Sequence, residues 1–153
     1  MGVYVMNYKL YLSWILVIIW MVVIYSFSAQ SANESELLSS GITHWTIQLL
    51  NRVLPNLNIE ILHLIIRQLA HLIIFLVLGV LLLNALNQSE TNERVNFVLA
   101  LLISLIYAIS DEIHQIYVPG RVGQIYDVLI DFLGSLIGIK IFIIYNNFKK
   151  NRE

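Results

Sequence analysis

Long apolar stretches separated by short polar segments dominate the chain. Four stretches, at about residues 10–27, 59–86, 95–116 and 125–145, come near to or exceed the roughly 20 residues that an α-helix needs to cross a bilayer. They predict four transmembrane helices. Residues 37–53 repeat apolar side chains at helical spacing after a serine-rich segment, which predicts an amphipathic helix on the membrane surface. We therefore expect one all-α membrane domain over residues 1–153, a four-helix bundle with an outward-facing surface helix between its first and second spans.

The composition agrees with a membrane protein and excludes several other classes. Hydrophobic residues make up 58% of the chain and charged residues 12%, about half the charged share of a soluble domain. The net charge of −1 offers no basic field for nucleic acid. Cysteine is absent, which excludes disulfides and thiolate metal ligands. The first apolar stretch is longer than the apolar region of a signal peptide, so we expect an uncleaved anchor.

Lysine and arginine next to the spans predict the orientation. With four spans, both termini share one side of the membrane with the loop around Arg94. That side also holds Lys9 and the basic tail at residues 149–152, whereas the opposite side holds Arg52 and Arg121. We therefore expect cytoplasmic termini, and a serine-rich segment and a Pro-Gly-Arg turn that face outward.

Polar residues within the spans are confined to the outward half. Counted from the apolar helix ends at about 1.5 Å per residue, every span brings one polar group to a height of about 21 to 24 Å. These residues are Ser26, His71, Asp111 and Asp131. A second layer lies about one turn higher. It consists of Gln30, Arg67, His114 and Asp127.

Spacing along each helix predicts that these side chains face one another. Within the later spans they recur at intervals of three and four residues and so share a helix face. The sets are Arg67 with His71, Asp111 with His114 and Gln115, and Asp127 with Asp131. Gly134 and Gly138 continue the last set, and small residues at this spacing allow another helix to approach closely. We expect a polar pocket inside the bundle, open to the outside.

At these residues the sequence resembles the VanZ-like family of small bacterial membrane proteins. The resemblance rests mainly on the motif Asp111-Glu112-Ile113-His114-Gln115. It is followed by Pro119-Gly120-Arg121 and by the spaced aspartates Asp127 and Asp131. A second motif, Arg-Lys-x-x-His followed by tyrosine, corresponds to the segment at residues 67–75, which has Gln68 and Phe75 in place of the lysine and the tyrosine. The serine-rich exit of the first span also matches. The resemblance implies a protein of the bacterial cytoplasmic membrane and an association with resistance to glycopeptide antibiotics, chiefly teicoplanin.

One hypothesis is a site for an anionic envelope lipid, its head group or a lipid-linked envelope intermediate. Arg67 and Arg121 would hold phosphate, because the guanidinium fork matches its geometry. Further candidate binding residues are Glu112, Gln115, Asp127, Ser26, Ser28 and Gln30.

A second hypothesis is a hydrolase or transferase acting at the membrane surface. His71 or His114 would be the general base, oriented by Asp111 or Asp131. The same four residues are admissible ligands for a divalent metal, although the Asp-x-x-His spacing alone is a weak metal signal and the sequence assigns no cofactor.

Two further readings remain open. A proton-coupled carrier would use the intramembrane acids and histidines as relays, but the cytoplasmic half offers only Ser104 and Tyr107 to complete a path. A purely structural protein would use the polar pairs to fix helix register. Neither the oligomeric state nor the substrate follows from the sequence.

Overall fold

The computed structural model describes residues 8–31, 59–89 and 91–152. Within these ranges the chain forms four helices: α1 (Tyr8–Ser28), α2 (Ile59–Asn87), α3 (Glu93–Ile116) and α4 (Ile125–Lys150). Each contains a stretch long and apolar enough to cross a membrane, which in α2 begins at Leu64. The prediction of an all-α membrane protein with four spanning helices is confirmed. The predicted surface helix at residues 37–53 lies outside the described residues.

Hydrogen bonds to polar side chains mark the points where α3 and α4 begin. Asn92 caps α3 by accepting a hydrogen bond from the backbone N–H of Arg94 at 2.9 Å, which satisfies a donor that the first helical turn leaves free. The turn between α3 and α4 contains Gly120 at φ 78°, a left-handed conformation that suits glycine. The backbone N–H of Gln124, just before α4, donates to the Glu112 carboxylate. This bond ties the start of α4 to the end of α3.

The most extensive interface of the bundle lies between α2 and α4. Gly134 and Gly138 of α4 lie directly against the backbone carbonyls of Leu72 and Leu76 in α2. A Cβ at either glycine would overlap those carbonyl groups, so only glycine permits this separation. The close approach predicted from the glycine spacing is present, and it brings the polar side chains of the two helices within bonding distance.

Below the polar residues the bundle is filled with apolar side chains. Phe75, Leu78 and Leu82 of α2 form the centre of this core, with Ile139 from α4. Two of the hydrogen bonds between α1 and the rest of the bundle lie beside this core. Trp20 Nε1 donates to the Ile74 carbonyl at 2.9 Å and the Tyr107 hydroxyl donates to the Met21 carbonyl at 2.6 Å. All four helices expose large apolar side chains outwards, as lipid-facing surfaces do.

Candidate functional site

The bundle has a polar end, where α1 and α3 finish and α2 and α4 begin. Five polar side chains of α3 and α4 are almost fully buried there: Asp111, Glu112, Gln115, Asp127 and Asp131, each at most 6% exposed. Ionisable groups in a membrane interior are costly unless they are paired or used in function. Their partners therefore decide what this end of the protein can do.

The outermost pair joins α2 to α4. Arg67 Nη2 donates to Asp127 Oδ2 at 2.9 Å, and Gln68 Nε2 donates to Asp127 Oδ1 at 2.8 Å. The Asp127 side chain is wholly buried, whereas 44% of the Arg67 side chain is exposed. Both oxygens of Asp127 are thus satisfied, and the carboxylate holds the arginine at the surface of the site.

One turn deeper, a histidine meets an aspartate across the same interface. His71 Nδ1 lies 3.2 Å from Asp131 Oδ1, and the side chains are 16% and 0% exposed. Because the contact uses Nδ1, it fixes the ring and leaves Nε2 directed away from the carboxylate. A carboxylate that orients an imidazole in this way is the arrangement a histidine general base requires.

A second chain of hydrogen bonds runs from the turn into α3. Arg121 Nη1 donates to Gln115 Oε1 at 3.1 Å, and Gln115 Nε2 donates to Asp111 Oδ2 at 2.9 Å. Arg121 Nη2 also reaches the carbonyl of Phe27 at the end of α1, at 3.4 Å. Arg121 is therefore linked through Gln115 to the buried Asp111, about one helical turn inside the bundle, and directly to the end of α1.

The two groups of bonds lie at the same end of the bundle. Glu112, next to Asp111, bonds the backbone of Gln124, three residues before Asp127. At the surface, partial burial and the nearby positive charge of Arg67 lower the pKa of the Arg121 guanidinium. The structure thus brings the predicted residues of α2, α3, α4 and the turn into one cluster, with two arginines towards its mouth.

The two remaining residues of the main motif have different surroundings. Glu112 accepts the backbone bond that starts α4. The His114 ring packs against Tyr25 of α1, with ring centroids 4.4 Å apart and planes tilted by 30°. Among the described residues no carboxylate bonds His114. Of the two histidines proposed as general base, the one oriented by an acid is His71.

The residues predicted at the end of α1 are only partly involved. The Ser26 hydroxyl donates to the carbonyl of Val22 in its own helix at 2.7 Å and is exposed, so it does not join the cluster. Ser28 is buried at 4% exposure. Gln30 is half-buried and follows Phe27, whose carbonyl receives Arg121.

Several buried atoms of the polar end have no hydrogen-bond partner within the described part of the chain. They are Ser28 Oγ, Gln68 Oε1, Asp111 Oδ1, Glu112 Oε2, His114 Nε2 and Asp131 Oδ2. Buried polar atoms are normally satisfied, so such atoms indicate a place for water or a ligand. Across residues 8–31, 59–89 and 91–152, no three histidine or acidic side chains come close enough to hold a metal ion. The metal-bound variant of the enzyme hypothesis therefore has no ligand set there.

Polar contacts at the opposite end were missed from the sequence. Asn84 Nδ2 donates to Ser13 Oγ at 3.2 Å, and Asn96 Nδ2 donates to Asn87 Oδ1 at 2.9 Å. The asparagines within the apolar stretches are the feature of the sequence that could have indicated these contacts. These contacts join α1 to α2 and α2 to α3, and a cleft of about 340 Å³ near Arg94 lies at the same end. No acid–histidine pair is found there among the described residues.

The fold and the site define a class: a small four-helix membrane protein with a buried, acid-rich polar cluster at one end. The chain belongs to the VanZ/LLP1 family, whose profile matches residues 13–146. That match covers most of the chain and every residue of the cluster. No curated protein and no solved structure matches the sequence.

Proposed function

We propose that this VanZ/LLP1 protein binds the anionic head group of an envelope lipid at its polar end. The observation that carries the proposal is the pair of arginines at the mouth of the cluster. Arg67 is 44% exposed on α2, and Arg121 is half-buried in the turn that precedes α4 at the same end of the bundle. Like charges held together at a surface are favourable sites for an oppositely charged ligand.

Both guanidinium groups have donors to spare. Each carries five N–H donors, of which Arg67 uses Nη2 for Asp127 and Arg121 directs Nη1 and Nη2 towards Gln115 and Phe27. Phosphate oxygens accept such donors in pairs, and the bonds are strengthened by charge.

We also propose an orientation of the protein in the membrane. The excess of lysine and arginine around the opposite end favours cytoplasmic termini, which places the polar end at the outer face of the cytoplasmic membrane. A lipid head group would then enter from the outer leaflet. No part of this proposal involves nucleic acid.

Binding of defined lipids to the purified protein tests the proposal. We expect phosphatidylglycerol to raise the melting temperature in detergent more than phosphatidylcholine does, and to bind more tightly in native mass spectrometry. Arg121→Ala should abolish the difference while the unliganded protein stays folded, since the bonds of Arg121 within the described residues go to neutral groups. Arg94→Ala, at the opposite end, is the matched control. Equal binding by wild type and Arg121→Ala would refute the head-group site.

A second candidate function is hydrolysis or group transfer on such a lipid, favoured by the His71–Asp131 pair. His71 Nε2 would take a proton from water or from an acceptor hydroxyl as that oxygen attacks the phosphorus, and Asp131 would stabilise the imidazolium. The imidazolium would then return the proton to the head-group alcohol as its P–O bond breaks. Incubation of phosphatidylglycerol vesicles with the reconstituted protein should then release a head-group product detectable by mass spectrometry. His71→Gln should remove that product and leave lipid binding in place. Absence of any product from wild type would leave binding as the function on this substrate.

We also propose, from the family resemblance, that the protein contributes to teicoplanin resistance. A protein that occupies or alters an anionic envelope lipid changes the envelope surface that the antibiotic meets. Expression in a sensitised bacterium should raise the inhibitory concentration of teicoplanin, and Arg121→Ala at equal expression should remove the increase. Unchanged susceptibility on expression of wild type would refute this part of the proposal.

A further inference from the structure

Three buried carboxylates of the cluster share one pattern. Each has one oxygen in a hydrogen bond and one oxygen without a partner among the described residues. Asp111 is bonded by Gln115, Glu112 by the backbone of Gln124, and Asp131 by His71. All three side chains are more than nine-tenths buried, at 5%, 6% and 0% exposure. One oxygen of each acid is thus bonded within the protein. The other oxygen is a buried acceptor without a donor among the described residues.

Open acceptors require a donor, and the described part of the chain does not provide one. The two arginines of the site direct their bonds elsewhere, Arg67 to Asp127 and Arg121 to Gln115, and neither is bonded to these oxygens. A buried acceptor without a partner is destabilising, so three in one cluster are expected to be met by something bound. Gln68 Oε1 and His114 Nε2 add further unpartnered atoms at the same end.

The arrangement of these acids indicates what kind of donor fits. A metal ion, or a single ammonium group with three donors on one nitrogen, needs its acceptors to converge on one point. Within the described residues, no three acidic or histidine side chains converge closely enough for an ion. The acceptors come from α3 and α4 and are spread over the cluster. Several hydroxyl groups carried on one small molecule match spread acceptors better than a point charge does.

We propose that the head group bound here is a hydroxyl-bearing phosphodiester, such as a glycerol or sugar phosphate. This inference rests on the proposed function. The phosphate lies on Arg67 and Arg121, and the hydroxyls point inwards to the open oxygens of Asp111, Glu112 and Asp131. Hydroxyl donors to a carboxylate form short, charge-assisted hydrogen bonds. The chemistry is common to glycerophospholipids and to polyprenyl-linked sugar phosphates, and the probes below separate these sources.

The test compares lipids of equal charge that differ in their hydroxyls. Phosphatidylglycerol and phosphatidylmethanol, with identical acyl chains, are both singly charged phosphodiesters, but only the first has head-group hydroxyls. Their affinities for the purified wild-type protein are measured by native mass spectrometry. We expect phosphatidylglycerol to bind about tenfold more tightly, the effect of roughly one charge-assisted hydrogen bond. A polyprenyl phosphodiester sugar that outcompetes phosphatidylglycerol would identify the lipid-linked sugar as the source, and the reverse order would identify the glycerolipid.

Asp111→Asn tests the open oxygens directly. The asparagine keeps an oxygen for Gln115 Nε2 but places an amide donor where the open acceptor was. The ratio of phosphatidylglycerol affinity to phosphatidylmethanol affinity should fall by about tenfold, because the two lipids carry the same charge and gain equally from the loss of the carboxylate charge. Asp131→Asn is the second variant if Asp111→Asn does not fold. Glu93→Gln, an exposed acid at the other end, is the control and should keep the preference.

The outcomes separate this inference from the function beneath it. Equal affinity of wild type for the two phosphodiesters, with both lost in Arg121→Ala, would overturn the hydroxyl-bearing head group and retain the anion site. Tighter binding of phosphatidylethanolamine than of phosphatidylglycerol would overturn it in favour of an ammonium group. If Arg121→Ala binds both phosphodiesters as tightly as wild type does, the anion site itself is overturned.

Discussion

His71 Nδ1 and Asp131 Oδ1 lie 3.2 Å apart although the residues are 60 positions apart in the sequence. The contact exists because α2 and α4 pack almost backbone to backbone just below it, at Gly134 and Gly138. The chemistry of the site thus depends on residues that carry no side chain. Two helices held farther apart would leave the acid buried and unpaired, which is costly.

The first prediction concerns that packing. Gly138→Ala would drive a Cβ into the carbonyl of Leu76, and overpacking of this kind costs about 1–3 kcal/mol or more when the contact is with backbone. We expect a lower melting temperature in detergent. Ile137→Ala, at an adjacent position whose side chain is 39% exposed, is the control and should melt close to wild type. A Gly138→Ala protein as stable as that control would contradict the close approach.

The second prediction concerns the pair itself. His71→Gln and Asp131→Asn should each destabilise the protein, and the double variant should be less unstable than the sum of the two effects. Directly bonded residues show coupling of about 0.5–3 kcal/mol in such a cycle. Chemical unfolding of the four proteins in the same detergent measures the coupling. Strict additivity would show that the two side chains do not interact.

Much of this site could be predicted by counting along apolar helices. Arg67 and Asp127 were assigned to one layer, and His71 and Asp131 to another, and both pairs are bonded in the structure. Counting residues from the apolar end of a helix predicts the height of a side chain, because a membrane span has a uniform rise per residue and a defined apolar end. The spacing of three and four residues then predicts which polar side chains share one face of a helix.

Rotation and local bonding could not be obtained in the same way. Ser26 has the expected height, but its hydroxyl bonds the carbonyl four residues earlier, a local alternative always open to serine. His114 and His71 were equivalent candidates, and only the packing of α1 shows that His114 meets Tyr25. The bond from Arg121 to Gln115 depends on the path of a turn that contains proline and glycine, and spacing does not encode that path.

The third prediction concerns topology. The lysine and arginine distribution predicts cytoplasmic termini. Reporter fusions at the C-terminus and in the loop at residues 88–92 should therefore both give a cytoplasmic signal, and a fusion inserted after Gly120 should give an external one. An external signal from either of the first two fusions would contradict the orientation and would place the polar cluster on the cytoplasmic side.

The last prediction separates the structural role of Arg67 from its role at the mouth of the site. Asp127 is wholly buried and receives Arg67 and Gln68, so Arg67→Gln leaves a buried carboxylate without its charged partner. Breaking a buried ion pair costs about 3–5 kcal/mol, and partial exposure of Arg67 places the loss at or below the lower value.

Adding Asp127→Asn to Arg67→Gln removes the orphaned charge, so the double variant should melt at a higher temperature than Arg67→Gln alone. Phosphatidylglycerol affinity should nevertheless stay low in both proteins, because neither presents a guanidinium group at this position. Arg94→Gln controls for the loss of an arginine elsewhere and should change neither property. If the double variant recovers lipid binding along with stability, Arg67 serves only to hold α2 against α4, and the anion would have to be bound by Arg121 alone.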